Sequence, residues 1–291
     1  MGGRAIIVAN APGTLWVVAT PIGNLEDLSP RARRILAEVD LVLCEDTRHS
    51  GRLLAAFGVE ARLAPLHEHN EERETPALVA RLEAGENIAL VSDAGTPLLS
   101  DPGFRLVRAA AAAGLRVSPV PGPSALLAAL SVAGLATDRF AFEGFLPARA
   151  TARRQRLGDL AGEPRTLVFF EAGNRLAALL ADAAEAFGSG RAATVARELT
   201  KLHETLYRGT LGDLARRVAA DSDAARGEVV VVVAGAEPVA AGEGDEALLM
   251  KLLPALLAEL PPSRAVKIAA KLSGVPRRRA YELALKLGAE P

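Results

Sequence analysis

Apolar and polar positions alternate along the first half of the chain in a regular way. Leu15–Thr20 (LWVVAT), Val39–Cys44 (VDLVLC), Ile88–Val91 and Val117–Val120 are short apolar runs rich in β-branched residues, the pattern of buried strands. Amphipathic helices fall between them. Ser29-Pro30 opens one that runs to about Ala37, with Ser suited to the N-cap and Pro to the first turn. Ser50–Phe57, Arg73–Ala84 and Phe104–Ala113 are helical, and each is followed by a glycine (Gly58, Gly85, Gly114) suited to end it. Ser124 caps a helix to Leu135. The alternation predicts a mostly parallel, helix-covered sheet in a first domain over 13–138.

A different section begins at Phe140–Phe145. Thr166–Glu171, Ala193–Ala196, Glu204–Tyr207 and Glu228–Ala234 read as strands. Leu176, Leu179, Leu180, Ala183 and Phe187 form one apolar helix face, and Thr210 caps a helix over Leu211–Ala219. These elements predict a second α/β domain over 139–236. Ala236–Asp245 reads as a linker. Beyond it the pattern is helical, with Ser263–Leu272 and Arg277–Leu287 separated by Ser273-Gly274-Val275-Pro276, a helix-turn-helix spacing within a module at 246–291.

Composition sharpens this picture in two places. Half of the 291 residues are hydrophobic but only 4% are aromatic, so Ala, Leu and Val must fill the cores. The net charge of −1 conceals an asymmetry: residues 251–291 hold eight Lys/Arg and three acids, +5, which leaves −6 on the rest. A basic module on an acidic body suggests a polyanionic partner. The single cysteine, Cys44, ends an apolar run and reads as core. No signal-type leader or spanning segment is apparent, and the expectation is a cytoplasmic protein without a membrane partner.

Several familiar sites are missing from the sequence: no glycine-rich dinucleotide fingerprint, no P-loop and no nucleophile elbow. His67-Glu68-His69 offers two metal ligands without a third at a recognisable spacing, so no metal site is expected. Three Gly/Pro-rich loops, Thr20–Asn24, Ser92–Gly103 and Pro121–Ser124, follow strand ends. In open α/β sheets the ligand crevice lies at that edge. Glycine lets backbone approach a ligand there and proline fixes its shape, and Asp93 and Asp101 stand beside them.

These loops carry a resemblance. Thr20-Pro21-Ile22-Gly23-Asn24-Leu25, Glu45-Asp46-Thr47-Arg48-His49, Ser92-Asp93-Ala94-Gly95-Thr96-Pro97 and Pro121-Gly122-Pro123 resemble the signature loops of the tetrapyrrole-methylase superfamily, in its small-subunit rRNA 2′-O-ribose cytidine methyltransferase branch. Phe142–Pro147 and Arg197–Lys201 continue the match, which covers about 13–235. The resemblance implies two α/β domains of the tetrapyrrole-methylase type with a small helical C-terminal extension. It also implies S-adenosylmethionine in the cleft between the domains and a homodimer. The implied reaction is methylation of a 16S rRNA ribose in the small ribosomal subunit, at cytidine 1402 of the decoding region. By motif match, Asp93, Ala94, Gly95, Thr96, Ser124 and Ala125 would contact the cofactor, Pro21 and Ile22 would line the near wall, and Phe170 and Ala196 would come from the second domain. Two positions depart from the family pattern: Asn174 stands where a His is usual before Arg175, and Arg226 where a Lys usually precedes Gly227-Glu228. A tetrapyrrole acceptor and a non-catalytic RNA-binding module share parts of the pattern. The tail and the Glu45–His49 loop favour RNA, and the Asp93–Pro97 loop favours a cofactor.

Methyl transfer from a sulfonium is an in-line displacement that rewards positioning, and a ribose hydroxyl is a weak nucleophile that gains from a base or charge stabiliser. Asp46, Arg48, His49 and Lys201 are the catalytic candidates, with Glu45, Glu198 and Glu204 beside them. Arg48, Arg149, Arg153, Arg154, Arg156 and Arg277, Arg278 and Arg279 are candidates to grip RNA phosphates.

Overall fold

A computed structural model describes residues 11–221, 226–237 and 246–287. Most of the Ala236–Asp245 linker and the last four residues of the tail lie outside the described residues. The chain divides into two compact units, one reaching Gly235 and one beginning at Ala236.

The first unit holds two five-stranded sheets. Along the chain run β1 (Thr14–Val18), α1 (Pro30–Glu38), β2 (Leu41–Cys44), α2 (Thr47–Ala56), β3 (Leu63–Pro65), α3 (Glu71–Glu83), β4 (Ile88–Leu90), α4 (Phe104–Ala112), β5 (Arg116–Val120) and α5 (Ala125–Ala133). The strands pair in parallel in the order β3-β2-β4-β1-β5. Every strand therefore ends at the same edge, and all five following loops gather there. Neighbouring β1 and β4 bring two of the glycine-rich loops together. Thr20 and Gly95 exchange backbone hydrogen bonds of 2.9 and 3.0 Å, and the Thr96 hydroxyl donates to the Pro123 carbonyl at 3.0 Å. Gly95 has φ +86°, and a Cβ there would stand 3.3 Å from an Ile22 methyl. The helices form as their caps require: Ser29 accepts from Ala32 N–H at 3.0 Å to start α1, and Ser124 caps α5.

The sequence did not reveal β3, a three-residue edge strand. Helix α2 starts at Thr47 rather than Ser50, because the Asp46 carboxylate caps it by accepting from the N–H groups of Arg48 (2.8 Å) and His49 (3.4 Å). Thr47, Arg48 and His49 are thus first-turn helix residues and not loop.

The second half runs β6 (Phe140–Phe145), α6 (Ala150–Leu160), β7 (Thr166–Ala172), α7 (Gly173–Phe187), β8 (Ala192–Arg197), β9 (Thr205–Thr210), α8 (Leu211–Ala220) and β10 (Glu228–Val233). Its sheet, β6-β7-β10-β8-β9, is mixed: β6 and β7 are parallel, and the other pairs antiparallel. One face packs on α6, α7 and α8 around Leu157, Phe169, Leu180 and Val231. The other receives α5 from the first half. Leu126, Ala129 and Leu130 pack against Val168, Ala196, Val230 and Val232, and Ile22 joins the same cluster. Burying each large aliphatic side chain contributes about 1.5–3 kcal/mol, so this shared core fixes the two sheets against each other.

The second unit contains α9 (Glu246–Glu259), α10 (Pro262–Ser273) and α11 (Arg277–Lys286). They share a small core of Leu249, Leu253, Val266, Ala269, Val275, Ala280 and Ala284. Gly274 (φ +69°) ends α10, and the turn to α11 completes the helix-turn-helix. Among the described residues no helix is long and apolar enough to cross a membrane.

Candidate active site

Between the parallel sheet's loop edge and the second sheet lies a cleft of about 420 Å³, within the range of small-molecule sites. The first half supplies Ile22, Asp93, Ala94, Gly95, Thr96, Ser124 and Ala125, together with Glu45 and Asp101. The second half supplies Phe170, Ala196, Glu198 and Lys201, all expected, and also Phe145 and Glu228. The Phe170 ring stands edge-on to Phe142 and Phe145, with centroids 4.8 and 5.8 Å away, and gives the cleft an apolar flank. The N-terminus of α5 also opens on the cleft at Ser124 and Ala125, a favourable place for negative charge.

Non-glycine residues with positive φ are uncommon. Among the described residues they are Leu98 (+73°), Ser100 (+70°), Glu198 (+51°) and Thr200 (+66°), two in each of the loops that face one another across the cleft. Such conformations cost about 1–3 kcal/mol each and persist where the surroundings hold them.

The two walls differ in charge. Burial, then the negative charges of Asp101, Asp93 and Glu68, push the Glu45 carboxyl up to about 7. Burial also pushes Asp101 up to about 6, against the Ser92 hydroxyl and with help from Asp93. Asp93 Oδ1 accepts from the Asp46 N–H at 3.3 Å and so ties the β4–α4 loop to the start of α2. Across the cleft, Lys201 Nζ donates to Glu198 and to Glu228, each at 2.9 Å. Burial works against the Lys201 ammonium, but these hydrogen bonds and charges outweigh it and raise its pKa. Glu198 also accepts the Glu228 N–H at 2.9 Å.

Other expected residues fall outside the cleft lining. Pro21 is buried in the β1 loop beside Ile22. Asp46 faces its own helix, whose Arg48 N–H holds the carboxyl below the usual range. Arg48 and His49 are exposed on the first turn of α2, with the Arg48 side chain 91% accessible. Arg153 requires a correction. It is buried, and its guanidinium donates to Asp182 at 2.7 Å, with side chains only 7% and 6% exposed, so no phosphate can reach it. Exposed Arg154 donates to the same carboxylate at 2.8 Å. Arg156 is engaged by Glu143, Arg279 by Glu246 and exposed Arg278 by Glu282 at 3.4 Å, whereas Arg149 and Arg277 project from the surface. His67 and His69 are near one another, ring centroids 5.9 Å apart, but among the described residues no cluster of three or more His, Cys, Asp or Glu could hold a metal.

Residues 14–215 match the family model of the tetrapyrrole (corrin/porphyrin) methylases, and residues 243–288 match that of the RsmI C-terminal HTH domain. The chain is 58% identical to the ribosomal RNA small subunit methyltransferase I of Xylella fastidiosa (strain Temecula1), over 94% of this chain and 99% of that one. It is 55% identical to its counterpart in Pseudomonas aeruginosa, over 94% and 97%. A Thermus thermophilus uroporphyrin-III C-methyl transferase, solved with S-adenyl homocysteine, superposes with a TM-score of 0.53 at 21% identity, covering 76% of this chain and 97% of that one; it shows the shared fold. With both sheets, the cleft and the C-terminal helices accounted for, the chain is a methyltransferase of the tetrapyrrole-methylase family, in the branch that holds the ribosomal RNA small subunit methyltransferases I.

Proposed function

We propose that this methyltransferase moves a methyl group from S-adenosylmethionine to the 2′-oxygen of a cytidine ribose in 16S rRNA, at position 1402 of the decoding region, and that it works in the cytoplasm as a homodimer. The observation that carries this reading is the identity to small-subunit rRNA methyltransferases, which runs through the cleft and on into the helix-turn-helix unit.

The cleft suits the donor. Its acidic first wall matches a cationic sulfonium and ammonium, the α5 N-terminus a carboxylate, and the Phe145–Phe170 flank a flat purine. When bound, S-adenosylmethionine supplies an electrophilic methyl group. The chain's own residues do the rest. Thr20, Gly95 and Thr96 lock three loops into one rigid cradle, which is the positioning that an in-line displacement needs. Gly95 lets the cradle's backbone come close, since a side chain there would press on Ile22. Lys201, fixed by Glu198 and Glu228, presents a cation at the cleft's other wall. Arg48, Arg149, Arg154, Arg277, Arg278 and Arg279 are the basic groups proposed to meet RNA phosphates.

The test offers undermodified small subunits, free 16S rRNA and a tetrapyrrole in parallel with labelled donor, followed by nucleoside analysis. Label is expected in 2′-O-methylcytidine. Label on the tetrapyrrole alone overturns the reading. In binding assays, Gln at both Arg277 and Arg278 should flatten the dependence of log affinity on log salt by roughly 1.5–2 if both contact phosphate.

A further inference from the structure

Six carboxylates line the cleft: Glu45, Asp93, Asp101, Glu171, Glu198 and Glu228. Five are engaged. Asp93 accepts from Asp46 N–H, and Ser92 lies against Asp101. Glu171 is held by Arg175 at 3.1 Å and by the Ala172 N–H. Glu198 and Glu228 share Lys201. Of these six, the Glu45 carboxylate alone has neither a hydrogen bond nor an ion pair with a described residue. It stands at the end of β2, directly beside β4, whose loop forms the cofactor cradle. A group left unpaired in a built cleft is free for a partner that arrives with the substrate.

We infer that Glu45 is the general base of methyl transfer and takes the proton of the acceptor ribose hydroxyl. This rests on the rRNA reading above. The hydroxyl oxygen's electron pair forms the new C–O bond to the methyl carbon, the C–S pair returns to sulfur, and the proton passes to a Glu45 carboxylate oxygen. Later loss of that proton to solvent resets the site. Every element around Glu45 bears on its titration. Cys44, Asp46 and Arg48 lie on its own segment, Asp93 and Asp101 on the β4–α4 loop, and Glu68 on the β3–α3 loop; Lys201 lies across the cleft with Glu198 and Glu228. The nearest of these are acids, so the neutral form is favoured until the pH approaches 7, where a base is most effective. Asp46, Arg48 and His49, the expected catalytic groups of the same segment, point elsewhere: one caps α2 and two face solvent.

The experiment is a pH–rate series on undermodified small subunits with wild type, Glu45→Gln, Glu45→Asp and Asp101→Asn. Wild type should lose rate below about pH 7, with slope one. Glu45→Gln should lose about 100-fold or more in kcat and lose the acid limb, with KM for S-adenosylmethionine within about threefold. Glu45→Asp should recover part of the rate together with the limb, and Asp101→Asn should keep a limb of slope one, moved to lower pH because the Asp101 charge helps to raise Glu45. An acid limb that survives in Glu45→Gln overturns the inference. So does a loss that falls on the donor's KM with kcat intact, which would make Glu45 a cofactor ligand. Wild type that binds S-adenosylmethionine but leaves rRNA unlabelled overturns the acceptor reading instead. Carbon-13 carboxyl titration of the free protein then judges Glu45 separately. Its resonance, identified by its absence in Glu45→Gln, should titrate near 7, and titration at the ordinary 4.5 overturns the role whatever the acceptor.

Discussion

On the second-sheet wall of the cleft each charge has its counterpart: Lys201 sits between Glu198 and Glu228, and Glu171 meets Arg175. Behind that wall Asp182 holds both Arg153 and Arg154. On the first-sheet wall Glu45, Asp93 and Asp101 gather without a cation among the described residues. Topology explains the gathering. A parallel sheet delivers all its loops to one edge, so acids from the β2 and β4 loops must converge, whereas in the mixed sheet the antiparallel ends of β8 and β10 bring Glu198 and Glu228 side by side, and Lys201 from the turn after β8 pairs with both. Paired charges set the shape of one wall; the other carries acids with no cation beside them among the described residues.

The largest break in this comparison should come from the paired side. Asp182→Ala leaves the buried Arg153 guanidinium without a partner, and such losses cost about 3–5 kcal/mol. Chemical denaturation should show the loss. Donor affinity of the fraction that remains folded should not change, since Asp182 does not line the cleft. The double replacement Arg153→Met with Asp182→Leu should recover most of the stability, because an apolar pair of similar volume can replace a buried ion pair. Recovery would identify the pair's role as architectural, and a double variant as unstable as the single would deny it.

On the unpaired side the sensitive point is the cradle. Gly95→Ala puts a Cβ at φ +86° and 3.3 Å from Ile22, at about 1–2 kcal/mol in stability. Since Thr20, Thr96 and Pro123 are tied to the same loop, the displacement should reach the ligand, and calorimetry should show donor affinity falling about tenfold or more. A variant that loses stability but keeps affinity would show that the cradle's backbone does not contact the donor.

How much of this was legible follows from distance along the chain. The alternation of strands and capped helices is local, and so are the glycine-rich loops; both could be read from neighbours a few residues apart. Convergence of the loops followed from the parallel topology that the alternation implies. Arg153 shows the limit. In a run of Arg149, Arg153, Arg154 and Arg156 it looked like one more exposed cation. Yet it shares a helix face with Leu157 and Leu160, and its partner lies 29 residues away on α7. The Glu198–Lys201–Glu228 set was equally hidden. Lys201 and Glu198 were candidates from one loop, but Glu228 reaches Lys201 only through the β8–β10 register. Edge strand β3 is too short for any periodicity to show.

The smallest effect is the one whose sign separates the two walls most cleanly. Glu45 has its pKa raised from 4.5 to about 7 in the folded protein, so folding takes up a proton between those values. Its favourable contribution is complete below about pH 4.5 and lost as the pH rises through about 7. Glu45→Gln cannot ionise and escapes that loss. It should therefore gain stability on wild type above pH 7 by about 1 kcal/mol, after allowance for solvent screening of a half-exposed group, or about 2–4 °C in Tm. Near pH 4.5 the two proteins should melt together. Lys201→Met should behave oppositely, losing stability at neutral pH because it strips the paired wall of its cation. Scanning calorimetry at pH 5, 6, 7 and 8 decides the matter. Saturating S-adenosylmethionine should stabilise both proteins nearly equally, within the roughly threefold difference in donor affinity expected of a residue that is not a donor ligand, so that most of the Gln variant's advantage persists with donor bound. An advantage erased by the donor would make Glu45 a cofactor ligand.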